Sequence, residues 1–377
     1  MRVAIVSESF FPQVNGVTNT VRHVVDRLVA TGHEPLLVAP GPGLRDYRGV
    51  PVVRTRSVAL PSYPTFRVGL PDHDVERALA WFRPDVVHLA SPFPLGAWGA
   101  RAARRLGAPS LAVFQTDVGG FARQYGVPAR RAVDGWVGRL HRGVGRTLVP
   151  SRSAREHLAT LGVPELHLWG RGVDLDLFGP QHRDPSLREA WLRPRGGDRP
   201  TLVVGYVGRL APEKQVRRLA ELSGLPGVRL VAVGEGPERA WLAQQLPEAK
   251  LTGQLCGRDL AAAFASIDVF VHPGEHETFC QTVQEAQASG VPVVVPARGG
   301  PLDLVEQGVT GLLHDPAVPG SLRTTVHRAV TDPLLRHRLS AAGRRQVVDR
   351  SWTRLVDELV QVHYADLLRA RPLRQAA

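Results

Sequence analysis

Short apolar runs, rich in β-branched residues, recur along the chain, and stretches of helical period separate them. In the first half these runs lie at residues 3–6, 36–39, 85–89, 111–114 and 147–150. A second series lies at 201–208, 228–234, 268–273 and 291–296. Continuous apolar strands that alternate with helices are typical of a parallel sheet covered on both faces. Each series therefore predicts one doubly wound α/β domain.

The stretch between the two series is polar and rich in proline and glycine, which predicts a linker. We expect an N-terminal domain over 1–178, a linker over 179–200, a second domain over 201–350 and a terminal segment over 351–377. The last helical pattern begins at Trp352 and needs a surface to pack on. Because doubly wound sheets bind ligands at the carboxyl ends of their strands, we expect the ligands in a cleft between the domains.

Length and composition fit this organisation. A chain of 377 residues exceeds what one hydrophobic core usually supports, and 43% apolar residues can fill two cores. No apolar run approaches the ~18 residues that a spanning helix needs, and the first residues read as a buried strand, so we expect a cytoplasmic protein. Its two cysteines, Cys256 and Cys280, cannot form a disulfide framework and fit a reducing compartment.

The net charge of +12 favours anionic partners. Nucleic acid, a phosphate-bearing substrate and an acidic membrane all fit the charge, and composition alone does not choose among them. Nearly all the positive charge is arginine. The only lysines are Lys214 and Lys250, so their placement is informative.

The first candidate site is G-R-L-A-P-E-K at 208–214, directly after a predicted strand. Pro212 suits the first turn of a helix, which would place Lys214 near a helix N-terminus, where an anion is favoured. Together with Arg209, Lys214 resembles a clamp for a diphosphate. The alternative is two solvated surface cations, with Glu213 offsetting Lys214.

The second candidate site is H-P-G-E-H-E-T-F-C-Q-T-V-Q-E-A at 272–286, which also follows a strand. Glu277 would lie in the loop and Glu285 about two turns into the next helix. Their carboxylates could accept hydrogen bonds from the diols of a sugar and a ribose. The amides of Thr278, Phe279 and Cys280 could hold phosphate oxygens between them. The alternative is an ordinary helix with an acidic first turn.

Other motifs are weaker. His272 and His276 flank Glu275, but a zinc site needs more convergent ligands, so we expect no metal. The G-E-G-P-E segment at 234–238 lacks the full spacing of a dinucleotide fingerprint, which argues against a dehydrogenase.

Together these motifs resemble the retaining GT-B glycosyltransferases of the large family that contains bacterial phosphatidylinositol and glycolipid α-mannosyltransferases and sulfoquinovosyl-diacylglycerol synthases. The resemblance covers nearly the whole chain. It rests on F-F-P-Q-V-N-G-V at 10–17, V-P-S at 149–151, G-R-G-V-D at 170–174, G-R-L-A-P-E-K, the two glutamates and the terminal helix. It implies two Rossmann-like domains that face a cleft, the first on the acceptor side and the second binding the donor. It also implies a terminal helix that crosses back to the first domain.

The resemblance assigns roles to residues. In such enzymes the equivalents of Arg209 and Lys214 hold the donor diphosphate, and the equivalent of Glu277 contacts the transferred sugar, which makes these three the expected catalytic residues. Glu285 is expected to hold the nucleotide ribose. Gly16 looks like the glycine that lets the backbone approach a phosphate, although it could equally be a plain turn glycine.

One position departs from the family. Many relatives carry a histidine after the fourth N-terminal strand, where this chain has Gln115. A glutamine can hydrogen-bond a sugar hydroxyl but cannot exchange a proton near neutral pH, so we expect Gln115 to bind the donor without acid–base work. Arg171 and Asp174 lie in a loop that faces the cleft in relatives, and a structural role fits them as well.

The resemblance implies a metal-independent enzyme that moves a hexose from a nucleotide-diphosphate sugar to an acceptor hydroxyl with retention. GDP-mannose is the first choice of donor and a membrane lipid the first choice of acceptor. A UDP-hexose-dependent transferase acting on a diacylglycerol, a polysaccharide or a soluble acceptor is the alternative. A basic binding protein without turnover and an epimerase on the same fold stay open, and the oligomeric state is not predicted.

An arginine-rich stretch at 121–155 bears on the acceptor. At helical spacing, Val133, Val137, Leu140 and Val144 fall on one side, opposite Arg131, Arg139, Arg142 and Arg146. An anionic bilayer would attract such a face by ~1 kcal/mol for each arginine. We therefore expect peripheral docking at the inner face of the plasma membrane and no nucleic-acid partner. A merely solvated face is the alternative.

Overall fold

The computed structural model describes residues 1–13, 15–60, 63–70, 73–91, 94–116, 130–193 and 200–370. The chain divides into two compact units. The first comprises Met1–Arg171 together with the chain from Trp352 onward, and the second comprises Gly172–Ser351.

An eight-stranded sheet forms the centre of the first unit. Its strands are β1 (Arg2–Val6), β2 (Glu34–Pro40), β3 (Asp46–Tyr47), β4 (Val50–Thr55), β7 (Val86–Leu89), β8 (Ser110–Val113), β9 (Arg146–Val149) and β10 (Leu166–Leu168). They lie in the order β10-β9-β8-β7-β1-β2-β4-β3 and pair in parallel, apart from the antiparallel β3–β4 pair. Strands β5 (Ser57–Leu60) and β6 (Tyr63–Gly69) form a separate antiparallel ribbon.

Helices cover both faces of this sheet. They are α1 (Gly16–Ala30), α2 (His73–Phe82), α3 (Pro94–Leu106), α4 (Arg130–Arg142) and α5 (Arg152–Thr160). The side chain of Asn15 caps α1 by accepting hydrogen bonds from the amides of Val17 and Thr18, both at 3.0 Å. Alternate residues of β1 enter different cores: Val3 and Ile5 one, Ala4 and Val6 the other. This two-sided burial explains the unbroken apolar run in the sequence.

A six-stranded, all-parallel sheet forms the centre of the second unit. Its strands are β11 (Leu202–Val207), β12 (Val228–Val233), β13 (Lys250–Gly253), β14 (Val269–Val271), β15 (Val293–Pro296) and β16 (Leu312–His314), in the order β13-β12-β11-β14-β15-β16. The α-helices are α6 (Pro185–Trp191), α7 (Arg239–Gln245), α8 (Gly257–Ala265), α9 (Gln281–Ala288), α10 (Ser321–Thr331) and α11 (Pro333–Val348). Short 3-10 helices lie at Pro180–His182, Pro212–Lys214, Val216–Leu222 and Gly300–Asp303.

After the second unit the chain returns to the first. The terminal segment consists of α12 (Trp352–Glu358), a π-helical stretch (Leu359–Tyr364) and α13 (Ala365–Arg369). Its apolar side chains join the core that contains Val3 and Ile5. The guanidinium of Arg27 donates two hydrogen bonds of 2.7 Å to the carboxylate of Asp357. The expected crossing of the terminal helix to the first domain is confirmed.

The structure differs from the predicted linker over 179–200. Part of this stretch forms a 3-10 helix and α6, and Trp191 is buried in the core of the second unit. Asp268 accepts hydrogen bonds from Arg183 and Arg188, which ties the stretch to that unit. The division falls instead between Arg171 and Gly172, while residues 194–199 lie outside the described residues. Proline content therefore misled the prediction.

The arginine-rich helix is also shorter than predicted. Helix α4 ends at Arg142, and Arg146 is the first residue of β9. Arg146 Nη1 lies 3.0 Å from Asp366 Oδ2 in the terminal segment, and its side chain is only 12% exposed. Placing Arg146 on the outward face was therefore wrong. Arg131, Arg139 and Arg142 are exposed, whereas residues 121–129 of the arginine-rich stretch lie outside the described residues.

No helix in the described part of the chain is both long enough and apolar enough to cross a bilayer.

Candidate functional site

The main candidate site lies within the second unit, at the carboxyl ends of β11 and β14. These strands are neighbours in the sheet, so the loops that follow them lie at the same edge. The loop after β11 carries Arg209 and Lys214, and the loop after β14 carries His272 and Glu277. The two motifs predicted from the sequence are thereby brought together.

A partly buried ion pair joins the two loops. Lys214 Nζ lies 2.5 Å from Glu277 Oε1, and His272 Nε2 lies 3.2 Å from the same oxygen. Tyr206 of β11 stacks on the His272 ring, with 6.0 Å between centroids. The Glu277 carboxylate therefore has two cationic partners, one from each loop.

The pKa shifts follow from burial and charge. Burial lowers the pKa of Lys214, but the Glu277 carboxylate outweighs it and the net shift is upward. Burial raises the pKa of Glu277, but Lys214 and His272 hold it well below its usual range. Burial lowers the pKa of His272, whereas Cys280 and Glu277 raise it, to about 9. All three groups are therefore charged near neutral pH.

Glu213 pairs with Arg209, and not with Lys214 as the alternative interpretation of the sequence had it. Its guanidinium donates to the Glu213 carboxylate, with Nε at 2.9 Å. Glu213 thus neutralises Arg209, and Lys214 is left to Glu277. Pro212 begins only a three-residue 3-10 helix, which ends at Lys214 and is followed by Gln215 with φ of 51°. The expected α-helix dipole at Lys214 is therefore absent, and that part of the electrostatic argument was wrong.

The loop before α9 is held close to its neighbours by glycines. Gly299 has φ of +68°, and a Cβ there would lie 2.7 Å from the carbonyl oxygen of Glu275. Phe279 and Cys280 are buried, and α9 begins at Gln281. A Cβ at Gly300 would lie 2.5 Å from the backbone nitrogen of Phe279, so the two loops pack closely here. The phosphate-binding role of these amides and of Thr278 stays a prediction.

Glu285 is half-buried on α9, in the second turn of the helix. Its position agrees with the helical placement expected from the sequence, and its contact with a ribose stays a prediction.

Three side chains of kinds that bind metals also meet here. The ligand atoms of His272, Glu277 and Cys280 lie within 4.8 Å of one another. The set suggested by the sequence is a different one, His272, His276 and Glu275. Those residues are neighbours along the chain, whereas the three that meet in the structure are brought together by the folding of the loop. The Lys214 ammonium lies 2.5 Å from Glu277 Oε1, so the charge of this carboxylate is already balanced by a lysine. Metal independence stays a prediction.

A second group of predicted residues lies within the first unit. Gly16 is the first residue of α1, and a Cβ there would lie 2.6 Å from Arg171 Nη1. Arg171 Nη2 lies 3.3 Å from the side-chain oxygen of Gln115. Gln115 is buried, and its amide nitrogen donates to the carbonyl of Ala90 at 2.9 Å. Gly16, Gln115 and Arg171 thus form one cluster.

Asp174 has a local structural contact. Its Oδ1 accepts a hydrogen bond of 3.0 Å from the amide of Leu177. This agrees with the structural reading of that residue.

His272 is the residue that the sequence reasoning missed. It was weighed only as a metal ligand, although a buried histidine directly after a strand, five residues before the candidate glutamate, faces the same edge of the sheet. This position in the sequence could have indicated that His272 lies close to Glu277.

Comparison with known proteins agrees with this arrangement. Residues 14–177 match the model described as Glycosyltransferase Family 4, and residues 188–346 match Glycosyl transferases group 1. A GDP-mannose-dependent alpha-mannosyltransferase of Mycolicibacterium smegmatis is 52% identical over 384 residues, covering 100% of both chains. A GDP-mannose-dependent alpha-(1-6)-phosphatidylinositol dimannoside mannosyltransferase of Mycobacterium tuberculosis is 29% identical and covers 92% of this chain and 91% of its own.

A solved structure shows the same fold. The crystal structure of Anabaena HepE in complex with UDP matches with a TM-score of 0.77 at 18% identity, covering 97% of this chain and 100% of the other. The two parallel sheets are those of the GT-B fold. The chain therefore belongs to the glycosyltransferase family that joins a family 4 domain to a group 1 domain and contains the GDP-mannose-dependent alpha-mannosyltransferases.

Proposed function

We propose that this protein transfers mannose from GDP-mannose to a hydroxyl group of a membrane lipid, with retention of the anomeric configuration. The observation that carries the proposal is the Lys214–Glu277 pair, in which a half-buried cation and a carboxylate that can accept hydrogen bonds from sugar hydroxyls meet at the carboxyl ends of β11 and β14. The full-length relatives, which are named for GDP-mannose-dependent transfer, support the choice of donor.

In the proposed reaction the bond between C1 of mannose and the diphosphate oxygen breaks. The acceptor oxygen bonds to C1 from the same face, and its proton passes to the departing phosphate. Negative charge therefore develops on the diphosphate, and positioned cations stabilise that charge. This assigns the leaving group to Arg209 and Lys214, and the mannose hydroxyls to Glu277.

Both cations assigned to the donor are paired with carboxylates in the structure, so donor binding must change these ion pairs. Lys214 now contacts Glu277, and Arg209 contacts Glu213. When a diphosphate binds, Lys214 exchanges the Glu277 carboxylate for it, and Arg209 exchanges the Glu213 carboxylate. Because phosphate carries more charge than a carboxylate, the exchange favours the bound donor.

We further propose a lipid acceptor and docking through α4. The helix buries Val137 and Leu140 and exposes Arg131, Arg139 and Arg142. Arg104 of α3 reaches the end of α4, where its Nη1 lies 3.4 Å from the carbonyl of Gly143. These four arginines offer a positive surface to anionic lipid headgroups. A position at the inner face of the plasma membrane agrees with this proposal.

A transfer assay tests the donor. Purified protein is incubated with a bacterial lipid extract and with radiolabelled GDP-mannose, UDP-glucose or UDP-galactose, and label in the lipid phase is counted. We expect label from GDP-mannose only. GDP should also raise Tm more than UDP does at equal concentration, because the tighter ligand stabilises the folded state more. Transfer from a UDP-sugar alone would favour the alternative donor, and conversion of the donor sugar into its epimer without an acceptor product would favour an epimerase.

A further inference from the structure

One oxygen of Glu277 is shared by two cations. Lys214 Nζ lies 2.5 Å and His272 Nε2 lies 3.2 Å from Glu277 Oε1. The side chain of Glu277 is 15% exposed and that of His272 is 3% exposed. Taking the counter-ion from a largely buried carboxylate is costly, because the carboxylate has already lost most of its hydration. Lys214 alone balances the charge of Glu277, so the presence of His272 as a second cation calls for an explanation.

The proposed function supplies that reason. Lys214 must turn towards the donor diphosphate, and this movement takes the nearer cation away from Glu277. Without a second cation, Glu277 would be left as an unpaired and largely buried carboxylate when the donor binds. Donor binding would then be opposed by the cost of that charge.

We propose that His272 is a positioning residue that holds the Glu277 carboxylate in place and compensates its charge while Lys214 binds the donor diphosphate. The proposal rests on the proposed function, because it takes Lys214 as the diphosphate ligand. His272 acts through Glu277 and is not itself placed against the substrate.

The surroundings of His272 fit this role. Tyr206 stacks on the ring, which fixes its plane. The titratable and charged groups that face or neighbour it are Tyr206 from β11, Lys214 from the loop after β11, Glu277 and Cys280 from the loop before α9, and His314 from β16. Burial lowers the pKa of His314 to about 4 and keeps it neutral, whereas the pKa of His272 is raised to about 9. His272 thus carries the positive charge that Glu277 needs.

A double-mutant cycle on GDP affinity tests the proposal. Calorimetry compares the parent protein with His272→Gln, Glu277→Gln and the double variant. We expect His272→Gln to weaken GDP binding roughly tenfold, because Glu277 then competes for Lys214. Glu277→Gln should bind GDP at least as well as the parent. The double variant should match Glu277→Gln, because His272 has no carboxylate left to compensate.

Proton uptake gives a second measurement. In His272→Gln, Glu277 can become neutral only by taking up a proton when GDP binds. The terminal phosphate of GDP itself titrates at about pH 6, so the parent gives the baseline for this measurement. Compared with the parent, His272→Gln should take up more protons for each GDP bound, and its GDP affinity should gain more on going from pH 8 to pH 6. Equal proton uptake by the two proteins would overturn the proposal.

A merely structural role predicts a different result. If His272 only packs on Tyr206, its replacement lowers GDP affinity equally with and without Glu277, and additive losses overturn the proposal. Parent-like affinity in His272→Gln overturns it as well. Thermal melts check folding, and His272→Asn is the second neutral variant if glutamine lowers Tm. Failure of the proposed function is distinguishable, since the parent and Glu277→Gln would then both fail to bind GDP.

Discussion

The hydroxyl of Tyr364 lies 2.7 Å from Nδ1 of His88, although 276 residues separate them along the chain. Both side chains are buried, and burial lowers the pKa of His88 to about 3, so its ring is neutral at physiological pH. The hydrogen bond joins the terminal segment to β7, in the middle of the first sheet. It is one of the contacts that make residues after Trp352 part of the first unit.

Replacing Tyr364 with phenylalanine should destabilise the first unit. The variant leaves His88 Nδ1 buried without this partner, which costs about 1–3 kcal/mol. We expect Tm to fall by roughly 3–10 °C in a calorimetric scan. Tyr47→Phe is the matched control, because the Tyr47 hydroxyl makes only a 3.4 Å contact with Asp26. Equal effects of the two changes would contradict the structural account.

Replacing Lys214 with alanine should abolish most transfer. If Lys214 stabilises charge on the leaving diphosphate, kcat should fall about 10²–10³-fold, as for the loss of other transition-state donors. Initial rates with saturating GDP-mannose measure the effect. Lys250→Ala is the control, since it removes the other lysine of the chain and should keep the parent rate. Equal rates in Lys214→Ala and the parent would refute the assigned role.

The stability of the first unit should depend on Glu8. Its carboxylate accepts hydrogen bonds from the amides of Gly69 and Leu95, and burial raises its pKa from 4.5 to about 7 in spite of these bonds. The folded protein therefore binds this proton more tightly than the unfolded chain does. The free energy of unfolding should fall as pH rises from about 4.5 to about 7, by about 3 kcal/mol, and level off above that range.

Urea unfolding at pH 5 and pH 8 measures this dependence. Glu8→Gln cannot ionise, so it should lose less stability than the parent between the two pH values. Glu34→Gln, at a side chain that is 75% exposed, should behave like the parent. A Glu8→Gln curve parallel to that of the parent would show that Glu8 does not titrate in this range.

Reversing the charge of the α4 arginines should release the protein from membranes. We expect the parent to sediment with vesicles that contain anionic lipid, and less so as salt increases. The triple change of Arg131, Arg139 and Arg142 to glutamate should abolish sedimentation. The control reverses Arg328, Arg338 and Arg345, which are exposed on α10 and α11 of the second unit. Equal binding by both triple variants would argue for a solvated α4 face.

The sequence predicted most of the fold because the inner strands are continuous apolar runs. The strands that were not predicted are short or lie at the edges of the sheets, such as β3 and β16. In β4, Pro51 interrupts the apolar run in the sequence, although the strand itself is continuous. Their formation depends on neighbours in the sheet, which a local pattern does not record.

The sequence also located the loops of the site, but not the partners within them. Lys214 and Glu277 are 63 residues apart, and only the adjacency of β11 and β14 brings them together. The sequence suggests Glu213 as the partner of Lys214, because the two residues are adjacent in the chain. In the structure it turns to Arg209 instead. The order of the strands in the sheet decides which loops are neighbours, and this order cannot be read from the apolar pattern of a single sequence.

The return of the chain to the first unit has a consequence for biosynthesis. The sheet of that unit emerges from the ribosome early, but Val356, Leu359 and Tyr364, which complete its core, emerge only after the whole second unit. Domains otherwise tend to fold in the order of their synthesis. Here an apolar strip of the nascent first unit stays uncovered until translation of the second unit has finished. A nascent chain stalled before Trp352 would therefore be a substrate for chaperones, even though every strand of both sheets had already been made.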